Sequence, residues 1–264
     1  MNKVVLVSGA SSGIGFATAK YLSEKNYNVI GVSRSYPKTK YNFDYLLCDI
    51  SDEANITKTI NIIAEKYGRV DFLINSAGLG ISGAIENTKL EDVKTIYNVN
   101  VYGHFLLTKA TLKLLRNSPA GKIINISSIA SEIALPFQSF YSMTKASIDA
   151  FTKALRIEVK PFNIQVMSLL PGDIKTDFTK NRKKTLDVKD DLYKARVDKS
   201  INKMELDETQ GMEPLVIAKA IYKYLKKKKL PITKTIGFSY KMIRFLNRIF
   251  PEKLVYYFVN KLYG

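Results

Sequence analysis

Residues 4–15 read VVLVSGASSGIG. Five apolar and small residues, three of them valine, predict a strand buried on both faces. Glycines follow at 9, 13 and 15, and then FATAKYLSEK takes on a helical pattern. A strand feeding a helix through a glycine turn lets the backbone approach a ligand closely. It also points the free N–H groups of the helix start at an anion, above all a pyrophosphate. The spacing is G-x-x-x-G-x-G rather than G-x-G-x-x-G. Gly9, Ser11, Ser12, Gly13, Ile14 and Gly15 are the candidate phosphate contacts.

Outward from this turn the same alternation repeats. Short apolar runs at 28–34, 45–49, 70–78, 122–128 and 164–172 are separated by amphipathic stretches at 14–25, 52–67, 89–116 and 140–159. Strand then helix, repeated without a linker or internal repeat, predicts an α/β protein. The expected form is a Rossmann-type, doubly wound parallel sheet with helices on both faces, one nucleotide-binding domain over residues 1–264. Ligands of such sheets bind at the carboxyl ends of the strands. Residues 173–212 are polar and weakly periodic after a strand end, which suggests a substrate lid. Residues 237–264 form an amphipathic tail.

The composition is that of a globular protein: 264 residues, 46% hydrophobic and 25% charged. No run of 18 apolar residues suggests a membrane span, and the first residues lack a signal peptide's long apolar stretch. Cys48 is the single cysteine, so no internal disulfide forms and a reducing, cytoplasmic location is expected. The net charge of +17 suits nucleic acid, an anionic membrane or a phosphate-bearing ligand. No arginine-rich tract, zinc-ligand spacing or RNA-binding aromatic motif accompanies it, so no nucleic-acid partner is expected.

Two local patterns carry chemistry. The second strand ends VSRS, placing Arg34 between Ser33 and Ser35 where an NAD site would have a carboxylate. A guanidinium there suits a 2′-phosphate, which favours NADP(H). In SFYSMTKAS (139–147), Tyr141 and Lys145 stand at i and i+4, sharing one helix face. A cation so placed would lower the phenol's pKa and let it exchange protons near neutrality.

Taken together, these residues resemble the short-chain dehydrogenase/reductases in their form of about 250 residues. SGASSGIG resembles that family's T-G-x-x-x-G-x-G turn, with Ser8 for threonine, and Asp49, followed by Ile50, matches the adenine-contacting aspartate. NSAG (Asn75, Ser76, Ala77, Gly78) is similar to N-N-A-G, and PGDIKT (Pro171, Gly172, Ile174, Thr176) to the P-G-x-x-x-T that holds the nicotinamide amide. Asn100 and Ser128, the latter thirteen residues before Tyr141, complete a tetrad with Tyr141 and Lys145. The resemblance spans about residues 3–178. It implies Tyr141 as general acid/base and Ser128 as second hydrogen-bond donor. Lys145 would lower the Tyr141 pKa and bond the ribose, and Asn100 would hold a water leading from Lys145 to solvent. No metal is implied. Ser127 is the neighbouring alternative to Ser128, and His104 is read as packing or interface.

The nearest branch contains 17β-hydroxysteroid and retinol dehydrogenases and acyl-dihydroxyacetone-phosphate reductases, so a lipophilic ketone or alcohol is the expected substrate. An NAD-dependent dehydrogenase of a small polar alcohol or sugar, or a non-catalytic NADP(H) sensor, are the alternatives. Helices at 89–116 and 140–159 would make a homodimer or homotetramer. SYKMIRFLNRIF (239–250) predicts a basic amphipathic helix with Lys241, Arg244 and Arg248 opposite an apolar face, and KYLKKKKL (223–230) adds charge. Peripheral membrane contact is one reading of this tail, and a cover over the pocket or a subunit interface is the other.

Overall fold

The computed structural model describes residues 2–185 and 192–264. In chain order it contains β1 (Val4–Ser8), α1 (Gly13–Ser23), β2 (Asn28–Ser33), β3 (Asp44–Leu47), α2 (Glu53–Tyr67), β4 (Phe72–Asn75), β5 (Ile81–Gly83) and α3 (Leu90–Tyr97). A π-helix at Asn98–Gly103 leads into α4 (His104–Arg116), β6 (Lys122–Ile126), α5 (Ser139–Glu158) and β7 (Gln165–Pro171). The chain closes with α6 (Phe178–Asn181), β8 (Lys183–Thr185), α7 (Lys194–Thr209), α8 (Pro214–Leu225), β9 (Thr233–Ile236), α9 (Phe238–Ile249) and α10 (Glu252–Tyr263).

Seven parallel strands form one sheet in the order β3-β2-β1-β4-β6-β7-β9, and β5 pairs with β8 outside it. Alternation along β1 sorts the core. Val4 and Leu6 join α2, α4 and α5 on one face, while Val5 and Val7 join α1 and α8 on the other. This is the expected doubly wound α/β fold, and its strand order reverses between β1 and β4, where a cleft opens. Local chemistry sets the element ends. Asp52 caps α2 by accepting from the Ala54 and Asn55 N–H groups, Gly68 ends it with a left-handed φ of 68°, and Pro214 opens α8.

Two expectations are corrected, and the expected lid stretch takes a defined form. The stretch at 89–116 is not one helix: its middle is the π-helix, where Asn100 is fully buried and a Cβ on Gly103 would stand 2.7 Å from Ile50. The run at 70–78 keeps only Phe72–Asn75 as strand, because Ser76 and Ala77 turn their N–H groups onto Ser8 Oγ at 3.0 and 3.2 Å. The 173–212 stretch, the expected lid, holds α6, β8 and all of α7; its residues 186–191 lie outside the described residues. The edge strand β9, with its half-polar TKTI, carries no apolar run to announce it.

A buried polar ladder ties sheet to helices. Asn75 Nδ2 donates to Asn125 Oδ1 at 2.8 Å and to Thr108 Oγ1 at 2.9 Å, and Asn125 Nδ2 donates to Thr152 Oγ1 at 2.8 Å. Asn125→Ala strands two of these partners in the dry core. It should lower stability by about 1–3 kcal/mol in equilibrium urea unfolding; an unchanged midpoint would show that the ladder contributes nothing.

Candidate active site

The phosphate end is built from close approach. Gly9 sits at φ 69°, and a Cβ there would meet the Ala77 Cα at 2.8 Å; one on Gly15 would meet the Gly9 carbonyl at 2.3 Å. Only glycine fits either position. The start of α1 is left open: Ser12 makes no side-chain cap, and the first turn carries no acidic residue. Uncapped N–H groups and an uncompensated helix dipole fit a pyrophosphate. Thr176 lies against this turn, its Cγ2 3.4 Å from where a Gly13 Cβ would be.

At the end of β2, Arg34 is exposed and lines the same cavity, with Ser33, Ser35 and, unforeseen, Tyr36, Lys38 and Thr39. Tyr45 fixes this loop: its hydroxyl bonds Ser33 Oγ at 2.7 Å and donates to the Ser35 carbonyl at 2.8 Å. No carboxylate occurs between Ser33 and Asp44. Asp49 lines the wall beside Ile50 and accepts from Ser51 N–H and Oγ at 2.9 and 2.7 Å.

At the chemical end, Ser128 lies within hydrogen-bonding reach of the Tyr141 phenol. Ser127 turns the other way and donates to the Lys145 carbonyl at 3.2 Å. Lys145 is buried, donates from Nζ to the Ile126 carbonyl at 3.0 Å and lies 5.6 Å from the Tyr141 ring centroid. Asn100 does not line the cavity. Its Oδ1 accepts from Leu79 N–H at 2.9 Å, and its Nδ2 donates to the Leu79 carbonyl and to Thr144 Oγ1. The amide thus clamps the loop after β4 onto α5. Gly78 separates Asn100 Oδ1 from Lys145 Nζ: a Cβ at Gly78 would lie 3.4 Å from the first and 3.7 Å from the second. Asn75, expected among the cofactor contacts, is fully buried in the ladder and does not line the cavity. The other expected cofactor contacts, from Gly9 to Thr176, do line it.

The electrostatics correct one expectation. The Tyr141 phenol is pushed up to about 12, chiefly by burial, against the Ser128 hydrogen bond that lowers it. Burial likewise lowers Lys145 to about 8. Lys145 therefore does not bring the phenol toward neutrality in this state, because its ammonium points at the Ile126 carbonyl and its charge is itself disfavoured. His104 is fully buried, donates from Nε2 to the Ala77 carbonyl at 2.7 Å and is lowered by burial to about 3. It supports the loop beneath the site as a neutral ring, in agreement with the packing reading.

The glycine turn, Arg34, Asp49, Ser128, Tyr141 and Lys145 face one cavity of about 1600 Å³. Past Tyr141 its wall is made by segments outside the glycine and tetrad patterns. Phe178 stacks on Tyr141 with centroids 5.6 Å apart, and the Arg182 guanidinium lies 5.6 Å from the Phe178 ring and pairs with Glu208. Tyr240 lies on Gly172 and donates to Asp173 Oδ2 at 2.5 Å, bringing α9 over the cavity. Ile243, Leu246 and Phe250 of the tail, with Val255, Phe258 and Val259 beyond, extend the wall as an apolar arm. The tail is legible as an amphipathic helix, and its apolar edge lies over the cavity, whereas Phe178 and Arg182 carry no motif that marks them in the sequence. Among the described residues, no group of three His, Cys, Asp or Glu side chains could hold a metal ion.

The family model for short chain dehydrogenases matches residues 3–187. The chain is 36% identical over 236 residues to the 3-ketodihydrosphingosine reductase of Bacteroides thetaiotaomicron, covering 89% of this chain and 88% of that one. Among solved structures, a short-chain dehydrogenase from Streptomyces avermitilis superposes with a TM-score of 0.81 at 29% identity, over 91% and 90% of the two chains. ElxO with NADP bound superposes at 0.75 and 26% identity, over 92% of this chain and all of its own, 100%.

His104 is the sole histidine, so its effect is separable. Its folded value lies below that of an unfolded histidine, near 6.5. Its contribution to stability is therefore complete above pH 6.5 and is lost as pH falls toward 3. The urea midpoint should drop between pH 7 and pH 5, and His104→Gln should flatten that dependence. Equal slopes for the two proteins would show that the ring takes up its proton in the fold as readily as in the unfolded chain.

Proposed function

The chain belongs to the short-chain dehydrogenase family, oxidoreductases of ketones and alcohols that use a nicotinamide cofactor, and on that premise we propose that it is an NADP(H)-dependent reductase of a lipophilic ketone. The observation that carries this reading is the position of Tyr141. It stands protonated beside Ser128 where the glycine cradle meets the apolar arm of one cavity.

In this reading Gly9 to Gly15 hold the pyrophosphate, Arg34 and Lys38 the 2′-phosphate, Asp49 the adenine and Lys145 the ribose. The backbone around Ile174 and Thr176 holds the carboxamide. When bound, NADPH supplies the hydride that reduces the carbonyl carbon. As negative charge develops on the carbonyl oxygen, Tyr141 transfers its proton there and Ser128 donates a second hydrogen bond. A phenol at about 12 carries its proton throughout the neutral range, which suits reduction. Asn100 keeps Leu79 and Thr144, and so the Tyr141 face of α5, in register.

NADP(H) is preferred to NAD(H) because the wall after β2 offers Arg34 and Lys38 and no acid. The apolar arm favours a long-chain ketone of the kind named for the Bacteroides relative over a sugar or polyol. A second copy would pair through the outer faces of α4 and α5, where Phe105, Met143 and Ile157 are exposed; light scattering after size exclusion would detect a dimer.

Three outcomes follow. Tyr141→Phe should bind NADPH normally and lose roughly 10²–10⁴-fold in kcat; near-normal turnover would remove Tyr141 from the chemistry. Arg34→Ala should weaken NADPH about 10- to 150-fold in a fluorescence titration while leaving NADH unchanged; equal binding of the two nucleotides by the native protein would overturn the cofactor preference. Reduction should hold through neutral pH and fall above about 8 as Lys145 loses its proton, whereas alcohol oxidation, which needs the phenol deprotonated, should rise with pH. Parallel profiles in the two directions would contradict the assignment.

A further inference from the structure

The two tail helices, twelve residues each, contain no buried residue. At 100° per residue the apolar arc of α9 divides in two. One edge, Ile243, Leu246 and Phe250, lines the cavity. The other edge, Phe238, Met242, Phe245 and Ile249, faces outward, with Phe238 81% and Phe245 57% exposed. On α10, Tyr256 and Tyr257 are 65% and 60% exposed. Patches of this size and continuity mark a surface that is covered in use.

The charges say by what. Of the tail's cations, Arg244 is committed to a bidentate pair with Glu132 at 2.8 and 2.6 Å. Arg248, 62% exposed, reaches the same Glu132 only at 3.9 Å, and with Lys241, Lys253 and Lys261 it stands around the apolar face, against Glu252 as the one carboxylate of either helix. The Lys226–Lys229 run does not share this face. It lies at the amino ends of β6 and β7, where Lys122 Nζ donates to the Lys227 carbonyl and Gln165 Nε2 to that of Lys228, whereas α9 leaves the carboxyl end of β9. A second copy docking about a two-fold axis would set like charges against like. An anionic lipid surface meets cations and aromatic side chains together.

We propose that the outer faces of α9 and α10 dock on an anionic bilayer surface, with the apolar arm of the cavity opening at the lipid. No described helix is long and apolar enough to cross a membrane, so the contact is peripheral. Loading of a lipid-borne ketone through this face rests on the reductase reading; the docking does not.

The test is co-sedimentation of the full chain with phosphatidylcholine vesicles, with and without phosphatidylglycerol, at low and high salt. The protein should pellet with the anionic vesicles at low salt and be released by salt. F245E/I249E should stay in the supernatant with its melting temperature retained, and K241Q/R248Q should lose about five-fold in affinity per cation. Native protein left in the supernatant with anionic vesicles, or F245E/I249E pelleting like the native chain, would overturn the proposal. So would dissociation of a dimer by F245E/I249E in ultracentrifugation without vesicle binding by the native protein, which would assign the face to a second copy. For loading, F245E/I249E should raise KM for a long-chain ketone in vesicles and leave a short, water-soluble ketone unaffected. If the native protein reduces neither ketone, the reductase reading fails while the pelleting result still decides the docking.

Discussion

The carboxyl ends of β1 and β4 meet where no side chain can stand between them. Gly9 passes within backbone distance of Ala77, and Ser8 Oγ takes the N–H groups of Ser76 and Ala77. That contact turns the chain out of β4 and sets the floor of the cleft. From it the loop runs through Gly78 to Leu79, which Asn100 grips on both backbone groups; Asn100 also reaches Thr144, next to Lys145. The cradle for phosphate and the helix carrying the phenol are thus linked through a few hydrogen bonds, braced from below by His104 on Ala77.

How much of this could be read in the chain depended on range. The glycine turn, the Tyr141–Lys145 pair and the strand ends are local patterns, and the fold places them in one cavity. The choice between Ser127 and Ser128 was made by counting, and the structure turns the two hydroxyls to opposite sides. What sequence could not show was set by neighbours distant along the chain. The π-helix depends on Gly103 against Ile50 and on Asn100 against Leu79. Asn75 is drawn into the core by Asn125 and Thr108, fifty and thirty-three residues on. The Tyr141–Lys145 spacing reports a nearby charge and is silent on the burial that raises the phenol.

Burial acts on Tyr141 and Lys145 in opposite senses. It holds the proton on the phenol and loosens it on the ammonium, so two groups with similar ordinary values move apart, to about 12 and about 8. Each group remains in the protonation state useful for giving a proton to a carbonyl oxygen at neutral pH. Phe178, packed on the Tyr141 ring, and the tail residues that line the same cavity are remote in sequence from the tetrad.

The packing of Tyr240 on Gly172 has a consequence for how this sequence can vary. A methyl group at 172 would lie 2.0 Å from the ring, so the position can change only if Tyr240 shrinks. Shrinking Tyr240 removes the hydroxyl that satisfies Asp173, a half-buried carboxyl already displaced upward by burial. A side chain at 172 therefore requires a change at 240, and through the lost hydroxyl an adjustment at 173, so the loop after β7 and the C-terminal helix are coupled in how they can drift.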